Sequence, residues 1–236
     1  MNRKTLKQLE FAGVNGWGGR RPGSGRKNLS RQVNHMKRPK VSLKVPLHVT
    51  LRLKERLPTL RKKSLFAEFK ESLKGARNQG LNVIHFSIQS NHIHLFCESA
   101  NNRSLSLGMR ALAGRFAKIL RKYFFSKGGE RSGSVFEGRY HLHLLKTPAE
   151  VRNALEYILL NLSKHQKLIE YIDDFSSGQC FKEWRTLLGK RFKSLVRSDG
   201  AFWEKHDPGD LIEILSPPQS WLARVGWIRA CGSRLT

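Results

Sequence analysis

The sequence predicts an α+β fold built on an antiparallel sheet, and three observations carry that expectation. Short stretches of apolar and polar alternation recur through the middle of the chain, and amphipathic stretches at three- and four-residue steps separate them. Two of the alternating stretches are joined by only three polar residues, a connection short enough for an antiparallel hairpin. At 236 residues with 39% apolar side chains, the chain can bury one sizeable core with appendages.

The first strand follows from Val45, Leu47, Val49, Leu51 and Leu53 alternating with Lys44, Pro46, His48, Thr50, Arg52 and Lys54. Residues 64–78 carry Leu65, Phe66, Phe69, Leu73 and Ala76 among Lys and Glu, which predicts an amphipathic helix ended near Gly80. Leu81 to Gln89 and Ile93 to Cys97 form the next two strands around the Gln89-Ser90-Asn91 turn. A longer helix over 104–125 has Leu105, Met109, Leu112, Phe116, Ile119 and Tyr123 as its apolar stripe, and a Gly-rich loop, Ser126 to Gly133, ends it. Tyr140 to Lys146 is a fourth strand. Thr147-Pro148-Ala149-Glu150 is a strong helix start, with Thr as N-cap, Pro in the first turn and Glu completing a capping box, and the helix should run to about His165. This order is that of a ferredoxin-like antiparallel sheet with helices on one face, carrying one added helix. Such a fold hosts many functions and proves none.

Charge narrows the partner. The chain holds 44 Lys and Arg against 18 Asp and Glu, a formal +26, which points to a polyphosphate such as nucleic acid. The excess is uneven: residues 1–40 hold 11 basic and 1 acidic side chains, 41–166 hold 22 and 8, and 167–236 hold 11 and 9, so the first two segments carry it. The run Gly16 to Lys27, with Arg20, Arg21, Arg26 and Lys27, has too little apolar surface to offset the entropy of ordering, and residues 1–40 are expected to form a flexible basic arm. Arg110, Arg115, Lys118, Arg121 and Lys122 flank the apolar stripe of the long helix and are the expected DNA-binding face, although a solvated basic face has the same composition. Residues 167–236 form a C-terminal extension in which Trp184, Trp203, Trp221 and Trp227 suggest packing and Ser216-Pro217-Pro218 a linker. No stretch approaches the roughly 18 apolar residues of a membrane span, and Cys97, Cys180 and Cys231 form no CxxC pair, so a reducing cytoplasm is expected, with no membrane partner.

Two motifs can carry chemistry. His92 and His94 point to one face of the third strand, where two neutral imidazoles can hold a divalent cation and leave positions open for water and a phosphate oxygen. His141 and His143 have the same spacing in the fourth strand, so spacing alone does not choose between the pairs. On the last helix, Val151, Leu155, Ile158 and Leu162 form the core stripe, which sets Tyr157 and Asn161 together on a neighbouring face. A phenol can attack phosphorus once a cation withdraws charge, and an amide oxygen suits a hard cation. The plainer reading makes Tyr157 an edge of the core and Asn161 a solvated amide.

Taken in order, these motifs resemble a known family. Asn91-His92-Ile93-His94-Leu95-Phe96 is similar to the His-hydrophobic-His (HUH) motif of single-tyrosine transposases of the insertion-sequence 200/605 type and of REP-associated tyrosine transposases. Glu156-Tyr157-Ile158-Leu159-Leu160-Asn161 resembles the helix that carries their nucleophile, and Phe136 to Tyr140 with Thr147 to Arg152 resembles the segment before it. The resemblance covers about residues 41–166. It implies an HUH endonuclease core in which His92, His94 and Asn161 are metal ligands, for magnesium or manganese, and Tyr157 is the catalytic nucleophile. It implies a nickase and strand transferase acting on single-stranded or hairpin DNA through a 5'-phosphotyrosine link, without a nucleotide cofactor, as a monomer or homodimer in the bacterial cytoplasm near the nucleoid. The added arm and tail favour the REP-associated branch. The alternative is a catalytically silent, domesticated nucleic-acid-binding protein on the same fold.

Overall fold

The computed structural model describes residues 38–55, 57–125, 133–161, 172–192 and 209–231. Within them the chain runs β1 (Leu47–Arg52), α1 (Lys63–Arg77), β2 (Leu81–Ile88), β3 (His92–Ser99), α2 (Asn102–Phe125), β4 (His141–Leu144) and α3 (Pro148–Leu159). Three short helices follow: α4 (Trp184–Leu188), α5 (Leu211–Ile214) and α6 (Trp221–Arg224). Residues 1–37 of the basic arm, including Arg20, Arg21, Arg26 and Lys27, lie outside the described residues, as do Leu162 to Tyr171 and Trp203.

The sheet has the order β2-β3-β1-β4 with every neighbouring pair antiparallel, the arrangement expected of a ferredoxin-like sheet. Alternation sorts the side chains. Leu47, Val49, Leu51, Ile93, Leu95, Cys97, Phe86 and Ile88 face one side and pack with Leu65, Phe69 and Leu73 of α1 and Met109, Leu112 and Phe116 of α2. The two helices meet through Phe69 and Phe116, whose rings sit edge to face at 5.3 Å. Gly108 lets α2 come down on the start of β2, because a Cβ there would lie 2.2 Å from the Cβ of Leu81. α1 ends at Arg77, near the expected Gly80, whose φ of +80° lies in the left-handed region.

The third helix departs from an arrangement with all helices on one face. Its capping box forms, with Thr147 accepting from the Glu150 backbone and the Glu150 carboxylate accepting from the Thr147 backbone. α3 then buries Val151, Leu155, Ile158 and Leu159 against Ile84 and Phe96, on the side of the sheet opposite α1 and α2. A second core grows there, completed by Phe181, Trp184 and Trp227 of the C-terminal segment. The apolar stripe of α3 was legible in sequence, but a stripe does not say which face of a sheet it covers.

The C-terminal segment is bound to the sheet at several points. The Ile88 backbone N–H donates to Phe175 O, and the Ser177 N–H donates to Phe86 O, so residues 175–177 cover the outer edge of β2. Such an edge is otherwise a row of unpaired donors and acceptors. Asp173 grips the Arg61 guanidinium with both carboxylate oxygens, at 2.6 and 2.7 Å. Glu98, fully buried on β3, accepts from the backbone N–H groups of Gln219 and Ser220. Ser216, expected in a linker, is instead fixed to β2 by its N–H on Val83 O. Trp184 and Trp227 are buried as a packed extension requires, whereas Trp221 is half exposed.

Candidate active site

The side of the sheet covered by α3 is rich in histidine. β1 and β3 pair with Thr50 opposite His94 and Arg52 opposite His92, and β1 and β4 pair with His48 opposite His143 and Thr50 opposite His141. Since these residues share the parity of His92, the face collects His48, Thr50, His92, His94, His141 and His143. The His92 and His94 rings lie with centroids 4.6 Å apart. His94 is buried, and its Nδ1 lies 3.1 Å from His48 Nε2 and 3.2 Å from Thr50 Oγ1. His92 donates its Nδ1–H to Asn91 Oδ1 at 2.7 Å, which leaves the lone pair of that ring on Nε2.

Tyr157 completes this group. Its ring centroid is 5.1 Å from that of His94 and 6.0 Å from that of His48, and the residue is 38% exposed, so the phenol is both packed against the imidazoles and open to a large substrate. Ring contacts thus join His92, His94, His48 and Tyr157 in one set, while His141 and His143 are exposed on the edge strand and have no ring contact among the described residues. That separates the two His pairs that spacing could not. Tyr140 stacks under Arg38 at 3.7 Å and Tyr123 pairs with Phe124, both away from the imidazoles.

Asn161 is separated from Tyr157 by a break in the helix. α3 closes at Leu159, Leu160 breaks the helical geometry at φ −111° and ψ 16°, and Asn161 is helical again directly after that break. It is 1% exposed, with neither amide atom hydrogen-bonded among the described residues. No hydrogen bond ties it to His92, His94 or Tyr157.

His48 was not singled out from sequence, and it bears most directly on His94. Burial, with His143 and His141 adding to the same direction, lowers its imidazole to about 4, so it is neutral near pH 7. It can therefore accept a hydrogen bond from His94. Next to Tyr157 on α3, the Glu156 carboxylate is held by Arg152 at 3.0 Å and by Arg191 of the C-terminal segment at 2.9 Å.

The expected DNA-binding residues of α2 divide by position. Arg110, Arg115, Lys118, Arg121 and Lys122 are all exposed, on a helix packed against the side of the sheet opposite the imidazoles. The C-terminal end of α2 nevertheless reaches the sheet end that carries His92. Arg121 donates to Gly133 O, Val135 O accepts from the Lys54 backbone, and Arg52, opposite His92, pairs with Glu137. Arg110, three turns earlier, is far from that end.

The donor set fits a divalent cation in part. Among the described residues no three His, Cys, Asp or Glu side chains gather as a metal site, so a cation here would rest on the His92 and His94 pair plus an oxygen ligand. Both imidazoles engage their Nδ1 edge, which presents Nε2 to a cation, the usual arrangement for metal-binding histidine. The buried, unbonded amide of Asn161 has the chemistry of a hard oxygen ligand. No helix among the described residues is long and apolar enough to cross a membrane.

Comparison with known proteins gives one family. The family model described as IS200-like transposase matches residues 41–161, slightly over half of the chain and all of the sheet, α1, α2 and α3. No curated protein matches significantly. Among solved structures, a REP-associated tyrosine transposase bound to a REP hairpin is 15% identical with a TM-score of 0.46, over 56% of this chain and 74% of that one. A protein of Deinococcus radiodurans R1 described as a transposase is 16% identical with a TM-score of 0.36, over 56% of this chain and 94% of that one.

Proposed function

This chain belongs to the family of IS200-like transposases, and from that premise we propose that it nicks and rejoins single-stranded or hairpin DNA through a covalent link to Tyr157. The observation that carries the proposal is the packing of the Tyr157 ring on His94, with His92 beside it, on one open sheet face.

In this reading His92 and His94 would hold a magnesium or manganese ion, and Asn161 would supply a third, oxygen ligand. When bound, the ion withdraws charge from the scissile phosphate. The Tyr157 oxygen attacks phosphorus in line, a P–O bond to tyrosine forms and the P–O3' bond breaks. The phenolic proton is lost and the departing 3'-oxygen gains one, so the protons balance. The product is a 5'-phosphotyrosine and a free 3'-hydroxyl, and attack by a 3'-hydroxyl reverses the step or joins a new strand. The phosphodiester energy is conserved in the tyrosine ester, so no nucleotide is consumed. The exposed phenol, 38% accessible, suits an unpaired strand that can bring its phosphate close.

Arg121 and Lys122 at the end of α2, and the arm carrying Arg20, Arg21, Arg26 and Lys27, would hold the flanking phosphates, with Arg115 and Lys118 further along that track and Arg110 the most remote. The segment beyond residue 161 favours the REP-associated branch of the family.

The test incubates the full chain with hairpin-bearing single-stranded DNA from the flanks of its own gene and manganese or magnesium. A covalent protein–DNA adduct that disappears in Tyr157→Phe and in chelator is expected. Tight binding without any adduct would establish the silent, domesticated nucleic-acid-binding protein instead.

A further inference from the structure

The sequence carries two His-hydrophobic-His pairs, and the proposed chemistry uses only one of them. His141 and His143 are exposed on β4, and among the described residues neither ring takes part in a hydrogen bond, an ion pair or a ring contact. Packing therefore does not account for them.

Their register places them beside the candidate site. His94, Thr50 and His141 lie opposite one another on β3, β1 and β4, and Phe96, His48 and His143 form the next row across the sheet. Neighbouring strands lie about 4.8 Å apart, so the backbone at His141 is roughly 10 Å from that at His94. Both His pairs share the face on which Tyr157 sits.

That face is covered only in part. α3 packs on β2 and β3, and no residue of β1 or β4 joins the core beneath it. Tyr157 stands at the boundary, with its ring centroid 5.1 Å from that of His94 on β3 and 6.0 Å from that of His48 on β1. On the far side, Phe181, Trp184 and Trp227 pack with Ile84 of β2, and residues 175–177 cover its outer edge. β4 is the opposite edge strand, and no strand pairs with its outer side among the described residues. A DNA strand bound at Tyr157 runs on in both directions, and the open path on this face leads across β1 and over β4.

The chemistry along that path suits a phosphate backbone. An imidazole N–H donates to a phosphate oxygen whether the ring is neutral or protonated. The Glu150 carboxylate near His143 is engaged by the backbone N–H groups of Lys146 and Thr147, which offsets its repulsion of an anion. Resting on the reading that this chain acts on DNA, we propose that His141 and His143 contact backbone phosphates of the unpaired strand on one side of the scissile phosphate. At a rise of about 3.4 Å per nucleotide, the roughly 10 Å from His94 puts those phosphates within about three nucleotides of the cut. The second His pair thus guides the strand that the first pair, with Tyr157, cuts.

The test uses the full chain and a hairpin-bearing oligonucleotide from its own gene flanks, with each phosphate of the unpaired part replaced in turn by an uncharged methylphosphonate. Affinity is measured by filter binding for the wild type, for His141→Ala with His143→Ala, and for His141→Gln with His143→Gln, which keeps an N–H donor on each side chain. Replacement within about three nucleotides of the cut, on one side only, is expected to weaken the wild type about five-fold, the order of one hydrogen bond. The alanine pair should lose a similar factor on unmodified DNA and no longer respond at that position, because the contact is already gone. The glutamine pair should recover part of the loss, which a merely structural role would not allow. Thermal unfolding checks both variants, and if the alanine pair does not fold, the single alanine variants decide. The proposal is overturned if the alanine pair binds as the wild type does, or if the methylphosphonate effect is the same in both. If a Tyr157 adduct still forms on this DNA while no loss of affinity is seen, the contact proposal alone falls; if the wild type binds no such DNA, both readings fall.

Discussion

Replacing His48 probes how the candidate ligand His94 is held. If His94 gives Nε2 to a cation, its Nδ1 carries the proton and donates to His48 Nε2 at 3.1 Å and to Thr50 Oγ1 at 3.2 Å. His48→Ala deletes the first acceptor, and loss of such an outer partner costs roughly 10- to 100-fold in metal affinity. Because Thr50 survives as an acceptor, the expected loss is at the low end, about ten-fold or roughly 1.4 kcal/mol. His48→Ala with Thr50→Val should approach the upper end, and His48→Gln, which returns a carbonyl oxygen, should recover part of the loss. Manganese affinity measured by calorimetry without DNA reads the effect apart from turnover, and thermal unfolding of the metal-free protein controls for damage to the fold. The reasoning is refuted if His48→Ala binds manganese as the wild type does, or if His48→Gln and His48→Ala lose affinity equally while both fold.

Three further outcomes follow from the structure. Asp173→Ala leaves the Arg61 guanidinium without its bidentate partner beside Phe175, and should cost about 3 kcal/mol, seen as a fall of roughly 6–12 °C in Tm; a fall under about 2 °C would show that the clasp is idle. The His85 imidazole, lowered from 6.5 to about 4 in the fold, takes up a proton more readily when unfolded, so its stabilising effect is complete above pH 6.5 and is lost as pH falls toward 4. Urea unfolding between those values should show stability declining by up to about 3 kcal/mol from this group, and His85→Gln should flatten the decline; an unchanged slope would refute it. Charge reversal at Arg121 should weaken DNA binding and its salt dependence more than reversal at Arg110, because only the former reaches the sheet end that carries His92, and equal effects in a filter-binding titration would contradict that geometry.

What the sequence made legible was what short-range periodicity records. Alternation over Leu47 to Leu53 and over His92 to Cys97 found the central strands, and the box at Thr147 and Glu150 found the start of α3. His48 was passed over because its meaning depends on which strand pairs with which. Within β1 it is one polar residue of an alternating run, and only the antiparallel register with β3 sets it against His94. The break at Leu160, between Tyr157 and Asn161, leaves no mark in 3.6-residue periodicity. The C-terminal segment was unreadable where it is described because its helices there span only four or five residues, too few for an apolar stripe to repeat.

That unreadable segment is nevertheless tied to the residues proposed to do the chemistry. α3 presents Tyr157 to the imidazoles, while Leu155, Ile158 and Leu159 are buried in the core that Trp184 and Trp227 complete. Arg191 and Arg152 together hold Glu156, the residue before the tyrosine. A family core ending at residue 161 would leave those apolar side chains of α3 exposed and Glu156 with one partner fewer. The position of Tyr157 over His94 is therefore supported by contacts from outside the matched residues, and the extension helps to hold the candidate site as well as the fold.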